Sequence, residues 1–216
     1  MHNILALRSI NLKYIVENDL KRCELIKTSL NLHQIIFLTC DQVETVLQDA
    51  NLDVVMIATP TGSHEEYITQ SLQAGKAVFT EKPVSEDPEA VKRCYDLAAK
   101  VNKPLFCAFN RRFDPSFEDV KKRVHAGELG QVQQIKLTSR DSPLPSVAYL
   151  KISGGIFHDC MVHDIDLMTY VLGELPVQVF PQANACIPEI ADMNDFDNVV
   201  STFKFKSGTI GVVDIR

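Results

Sequence analysis

The stretch Asp53-Val54-Val55-Met56-Ile57-Ala58-Thr59-Pro60-Thr61-Gly62-Ser63-His64-Glu65-Glu66 decides the fold. Val54–Ala58 is apolar on successive residues, the pattern of a strand covered on both faces in a parallel sheet. A short Pro/Gly turn follows, and Ser63-x-x-Glu66 has the form of a capping box that opens a helix. A strand that feeds directly into a helix is half of a crossover unit, which joins parallel strands. Short apolar runs at Leu12–Val16, Ile35–Leu38, Ala77–Thr80 and Pro104–Ala108 are separated by segments of helical periodicity. They extend the unit to a doubly wound, Rossmann-like parallel α/β sheet over residues 1–109. Asp87-Pro88 places an N-cap residue before a proline suited to the first helical position.

From residue 110 the pattern changes to mixed α+β. A helix is expected over Ser116–Ala126, a strand over Gln131–Ser139, a Pro-rich loop over Ser142–Ser146 and a helix from Gly155 to Leu172. Strands follow at Val177–Ala185, Asn198–Phe205 and Thr209–Ile215, the last two joined by a Lys206-Ser207-Gly208 hairpin turn. Residues 110–216 therefore read as a second, α+β domain with a mostly antiparallel sheet.

The 216 residues, 45% hydrophobic and 23% charged, suffice for one core or two small ones and exclude disorder. A formal net charge of −6 argues against a nucleic-acid partner. The basic run Lys121-Lys122-Arg123 lies on an amphipathic helix and reads as a solvated face. The longest apolar runs fall far short of the roughly 18–20 residues of a membrane helix, and the N-terminus lacks a signal-peptide pattern. No membrane partner and a cytoplasmic location are expected. The six cysteines are dispersed with no Cys-x-x-Cys, which suits reduced, buried thiols and no metal site.

Ligands of open parallel sheets gather beyond the carboxyl ends of the strands. Glu17 follows the first such run, where an acid accepts hydrogen bonds from a ribose diol; a solvated loop carboxylate is the alternative. Thr59-Pro60-Thr61-Gly62 leads to a helix N-terminus that favours negative charge, although a tight turn accounts for the same residues. Glu81-Lys82-Pro83 follows Ala77–Thr80. A lysine held in a cleft there exchanges protons near neutrality if burial lowers its pKa, whereas most lysines only solvate a surface. In the run Ser153–Asp166, helical geometry would set Asp159, His163 and Asp166 at i, i+4 and i+7 on one face. An acid one turn from a histidine orients the ring and stabilises its protonated form. A metal site competes but lacks a His-x-x-x-His pair, and a purely structural polar face remains open.

In order and spacing these clusters resemble the Gfo/Idh/MocA oxidoreductase family. Val54–His64 is similar to its strand and cofactor turn, and Glu81-Lys82-Pro83 to its signature tripeptide. Phe109-Asn110-Arg111-Arg112-Phe113-Asp114, Ser139-Arg140-Asp141-Ser142-Pro143 and Ser153–Asp166 resemble its inositol-oxidising branch. The resemblance implies hydride transfer from a ring hydroxyl carbon of myo-inositol or a related cyclic polyol to NAD. Lys82 would polarise the reacting oxygen and shuttle its proton, His163 would be the base, and Asp159 its orienting partner and a substrate ligand. Asn110, Tyr149 and Asp166 would line the polyol site. Thr59, Pro60, Thr61, His64 and Glu81 would contact the cofactor, with Glu17 in the ribose-acid position favouring NAD. A small-molecule cyclic polyol or sugar is the implied substrate, and a homo-oligomer the implied state of a complete protein.

The sequence departs from that pattern at both ends. No Gly-x-Gly-x-x-Gly follows an opening strand, so roughly fifteen residues carrying it are expected ahead of residue 1. The sheet is thus expected to lack its first, central strand, leaving two edges unpaired. The C-terminal strand also falls where the family continues, so the chain is expected to be truncated and weak or inactive alone. An inactive binding or interaction module, or a sibling pyranose dehydrogenase, are the alternatives.

Overall fold

The computed structural model describes residues 2–216. In chain order the elements of the first half are α1 (His2–Ala6), β1 (Tyr14–Val16), α2 (Leu20–Ser29), β2 (Ile36–Leu38), α3 (Val43–Leu47) and β3 (Val54–Ile57). They continue through α4 (His64–Gln73), β4 (Ala77–Thr80), α5 (Pro88–Lys100) and β5 (Leu105–Cys107). All five strands form where apolar runs were expected, each within two residues at either end, and every ladder among them is parallel. Among the described residues the ladders form two separate sheets, β1-β2 and β3-β4-β5. Carbonyls of Asp53 and Ile57 accept from the β4 side. Strand geometry therefore turns the backbone groups of Val54 and Met56 to the other edge, and their side chains are 51% and 49% exposed. Asp49 bridges the two sheets: its carboxylate accepts from Lys13 and Tyr14 beside β1, and its carbonyl accepts from Lys76 ahead of β4.

The first core lies on the face of β3-β4-β5 covered by α4 and α5, where Ile57, Val78, Ile68, Leu72, Cys94 and Ala98 are buried. Helix α5 starts as expected, Asp87 accepting the Glu89 N–H with Pro88 at the first helical position. The capping box at Ser63 does not form. A 3-10 turn, Thr61–Ser63, precedes α4 and turns the Ser63 hydroxyl back onto Pro60 O and Thr59 Oγ1, each at 2.8 Å.

The second half comprises α6 (Pro115–His125), β6 (Gln134–Ser139), α7 (Val147–Leu150), α8 (Val162–Leu172), β7 (Pro176–Asn184), α9 (Pro188–Ala191), β8 (Asn198–Phe205) and β9 (Ile210–Ile215). Its sheet runs β6-β9-β8-β7 and is antiparallel except for the β6–β9 ladder. Strand β8 alternates strictly: Val199, Ser201, Phe203 and Phe205 point inward, while Val200 and Thr202 face out. The inward set packs with Val213, Ile215, Met161 and Met168, so α8 lies across the sheet. Gly211 makes this close approach possible, because a Cβ there would collide with Met168 Sδ. The expected helix Gly155–Leu172 is interrupted: Phe157–Met161 forms a π-helical turn before α8 begins. Among the described residues, no helix is long and apolar enough to cross a membrane.

Candidate active site

Strand β4 ends at Thr80, and the turn after it carries Lys82 toward the π-helical turn that precedes α8. Lys82 Nζ donates to the Asp159 backbone carbonyl at 2.7 Å and to Asp159 Oδ1 at 2.8 Å. The two side chains are only 15% and 18% exposed, so solvent screens the pair little. Asp159 Oδ2 accepts the Tyr149 hydroxyl at 2.8 Å, joining α7 to the same cluster. Burial, then the hydrogen bond to Asp159, pushes the Tyr149 phenol up to about 12, which keeps it a donor at neutral pH.

His163, at the start of α8, is half-buried and its Nδ1 is enclosed without a hydrogen-bond partner. An unsatisfied buried polar atom costs roughly 1–3 kcal/mol and calls for an explanation such as a catalytic role. Burial, followed by the positive charges of Lys82 and Arg111, holds the imidazole below its ordinary pKa. A neutral ring beside a lysine can accept one proton while the lysine donates a hydrogen bond to the same substrate oxygen.

Two expected contacts are replaced by others. Asp159 spends its hydrogen bonds on Lys82 and Tyr149 instead of orienting His163. The wider π turn between them removes the i,i+4 alignment that a regular helix would give. Asp166, expected to line a polyol site, is 7% exposed and gripped by the fork of Arg112, whose Nε lies 2.9 and 3.1 Å from the two carboxylate oxygens. The Arg112 guanidinium is itself set between the rings of Phe109 and Tyr170, 5.5 Å from each centroid. Asn110 stands exposed at the start of a 3-10 turn, Asn110–Phe113, that follows β5.

That turn also presents Arg111, whose Nη1 donates to Asp164 Oδ1 at 2.6 Å; Ser139 Oγ adds bonds at 3.0 and 3.1 Å. Asp164 is 1% exposed. Sequence reading missed Arg111, Ser139 and Asp164. The available signal was charge arithmetic: two successive arginines after β5 and two acids, Asp164 and Asp166, on an otherwise apolar helix need each other as partners.

The residues expected to contact a cofactor sit at the carboxyl ends of β1, β3 and β4. Glu17 is half-buried, accepts the Asp19 N–H at 2.9 Å and lies 3.4 Å from Arg22. Thr59 and Thr61 are half-buried and Pro60 is exposed at the turn into α4. Glu81 is half-buried and accepts the Lys82 N–H at 3.3 Å. His64 departs from its expected contact role. It is 1% exposed, and its ring nitrogens lie 2.7 Å from Pro83 O and 2.8 Å from Thr59 O. It ties the Thr59 turn to the Lys82-Pro83 turn from beneath. A carboxylate for a ribose diol and a helix-entry turn for negative charge fit a dinucleotide, while no phosphate-cradling Gly-x-Gly-x-x-Gly is in the sequence.

The model of the oxidoreductase family with an NAD-binding Rossmann fold matches residues 2–109, and that of the Gfo/Idh/MocA C-terminal domain matches residues 117–216. The chain belongs to the Gfo/Idh/MocA oxidoreductase family. It is 40% identical over 176 residues to inositol 2-dehydrogenase of Rhizobium meliloti, covering 81% of this chain and 52% of that protein. Myo-inositol 2-dehydrogenase of Thermotoga maritima is 37% identical over 170 residues, covering 78% and 51%. The structure of scyllo-inositol dehydrogenase from Lactobacillus casei with bound NAD(H) and scyllo-inositol aligns with a TM-score of 0.87 at 25% identity, over 99% of this chain and 63% of that one. The chain thus spans about half the length of these curated relatives.

Proposed function

We propose that this Gfo/Idh/MocA member is an NAD-dependent dehydrogenase that oxidises a ring hydroxyl of inositol or a related cyclic polyol. The observation that carries the reading is the cluster at the carboxyl end of β4. Lys82 is fixed on Asp159 at 2.8 Å, and His163, four residues beyond Asp159, holds its enclosed Nδ1 without a hydrogen-bond partner. Relatives named as inositol dehydrogenases support the substrate class.

NAD, when bound, supplies the hydride acceptor. Glu17 would hold its ribose hydroxyls, and the Thr59-Pro60-Thr61 turn with Glu81 would line its path to Lys82. His64 supports that turn without touching the ligand. Lys82 would donate to the substrate oxygen and stabilise the negative charge that grows on it as the carbon is oxidised. His163, kept neutral by burial, would take the hydroxyl proton. Asp159 fixes the lysine, and Tyr149, whose hydroxyl completes that carboxylate's hydrogen bonding, would line the polyol site. Asn110 lies at the rim, where it would contact a substrate hydroxyl.

In this reading residues 1–109 form the dinucleotide-binding domain and 110–216 the substrate domain. The outer face of β6-β9-β8-β7, where Phe180, Val200 and Ile210 are exposed, would pair with a second copy. The six cysteines are free thiols, which accords with a reducing cytoplasm.

The test is formation of NADH from NAD, or of NADPH from NADP, with myo-inositol, scyllo-inositol and glucose as substrates of the purified protein. Turnover of an inositol with NAD and little with glucose is expected. No NADH from any cyclic polyol would overturn the reading, and glucose as the better substrate would overturn the polyol assignment.

A further inference from the structure

Helix α8 presents His163 and, one residue on, the enclosed carboxylate of Asp164. That carboxylate is held by Arg111 at 2.6 Å and by the Ser139 hydroxyl at 3.0 and 3.1 Å. The three partners come from three elements: the turn after β5, the end of β6 and α8. The network therefore fixes where the first turn of α8 stands relative to the turn after β5 and the end of β6. A carboxylate at 1% exposure, held by one short charge-assisted hydrogen bond from Arg111 and by the Ser139 hydroxyl, has little freedom to move, and it is the direct neighbour of His163.

We propose that Arg111 is the positioning residue of His163. Clamped on Asp164 with Ser139 as the third partner, it fixes the histidine's backbone and sets a permanent positive charge beside the imidazole. The proton acceptor is thereby kept in place and ready to accept. The inference rests on the reading of His163 as the base.

The charged groups facing the ring are Lys82 from the turn after β4, Arg111, Asp159 from the π turn and Asp164 from α8 itself. The two cations disfavour the imidazolium and the two carboxylates favour it, with burial as the largest influence against it. Neutralising Arg111 removes one opposing charge and frees the Asp164 carboxylate to attract the proton, so both consequences act in the same direction. Neutralising Asp164 acts in the other direction, because Arg111 is then left uncompensated.

The experiment is an NMR titration of His163 in the labelled chain without cofactor, its resonance assigned among the six histidines by its loss in His163→Gln. In Arg111→Gln the titration midpoint is expected to rise by about one pH unit. Arg111→Lys, which keeps the charge, is expected to stay near wild type. Asp164→Asn, which is isosteric, is expected to lower the midpoint. A merely structural arginine would lower the melting temperature without these opposite shifts. An unchanged or lower midpoint in Arg111→Gln, a Lys variant that moves as far as the Gln variant, or a raised midpoint in Asp164→Asn would each overturn the inference. Should Arg111→Gln fail to fold, the Lys and Asn variants still decide it. Because the titration needs neither NAD nor turnover, its failure leaves the dehydrogenase reading intact. Failure of inositol oxidation by wild type with the midpoints shifting as stated would remove that reading and leave Arg111 as the residue that sets the His163 titration, without a proton-transfer role.

Discussion

Replacing Lys82 by Met keeps most of the aliphatic stem and removes the ammonium, which separates the two roles assigned to this residue. The first consequence is on stability. Nζ makes two short hydrogen bonds, 2.7 Å to a carbonyl and 2.8 Å to a carboxylate, at 15% exposure. Hydrogen bonds to charged groups contribute roughly 1.5–3 kcal/mol, and part of that is returned because the lysine no longer has to be desolvated. Asp159 keeps the Tyr149 hydroxyl as a partner. A net loss of about 1–2 kcal/mol follows, which for a chain of this size lowers the melting temperature by roughly 2–8 °C and leaves the protein folded. The second consequence is on chemistry. Losing a positioned proton donor is worth about 100- to 10,000-fold in kcat, while NAD affinity, which the proposed function places on Glu17 and the Thr59 turn, is expected to change less than about threefold. Scanning calorimetry, NADH formation and isothermal titration with NAD measure the three quantities on the same preparation. Equal losses in turnover and NAD affinity would refute the reasoning, because they would make Lys82 a structural support of the cofactor turn. A variant with wild-type kcat would refute it more simply.

Three further outcomes are expected. Arg112→Met leaves the Asp166 carboxylate, 7% exposed, without its partner; urea denaturation is expected to show a loss of about 2–4 kcal/mol, most of it recovered when Asp166→Asn is added. The Asp49 carboxyl is held at about 2, first by its hydrogen bond from Lys13. Its folded pKa thus lies below its unfolded value, so its contribution is complete above about pH 4 and lost as pH falls to about 2; in Asp49→Asn the acid-unfolding curve should flatten across that window. Alkylation followed by mass spectrometry should label exposed Cys186 early and Cys160 and Cys107 late, because burial pushes those two thiols up to about 12 and 11; early labelling of Cys160 would contradict its placement.

How far the sequence carried the fold depended on the kind of pattern involved. Strand β8 was legible to the residue because one face is buried and the alternation is strict, and Ala77–Thr80 was legible because turns bound it on both sides. The Ser63 capping box was a false signal: a tighter turn claims the hydroxyl before the helix can. The π turn at Phe157–Met161 had no sequence signature, since a single extra residue per turn leaves the apolar positions still facing the core. That one turn is why Asp159 reaches Lys82 and Tyr149 instead of His163. Lys82, Asp159, Tyr149 and His163 could be found as chemistry-bearing residues at strand ends and helix starts. Their partners could not be, because the Arg111–Asp164 and Arg112–Asp166 pairs lie more than fifty residues apart in the chain. His64 illustrates the same limit: its residue type and place beside the cofactor turn suggest ligand contact, and only its enclosure between two carbonyls shows that it works from behind.

The central claim is that Lys82 and His163 converge on one substrate hydroxyl. The most direct measurement is a crystal structure of the protein with NAD and myo-inositol. A single ring oxygen within about 3.2 Å of both Lys82 Nζ and an imidazole nitrogen of His163 is predicted. A polyol bound with neither side chain in reach, or with Lys82 still turned wholly onto Asp159, would contradict it.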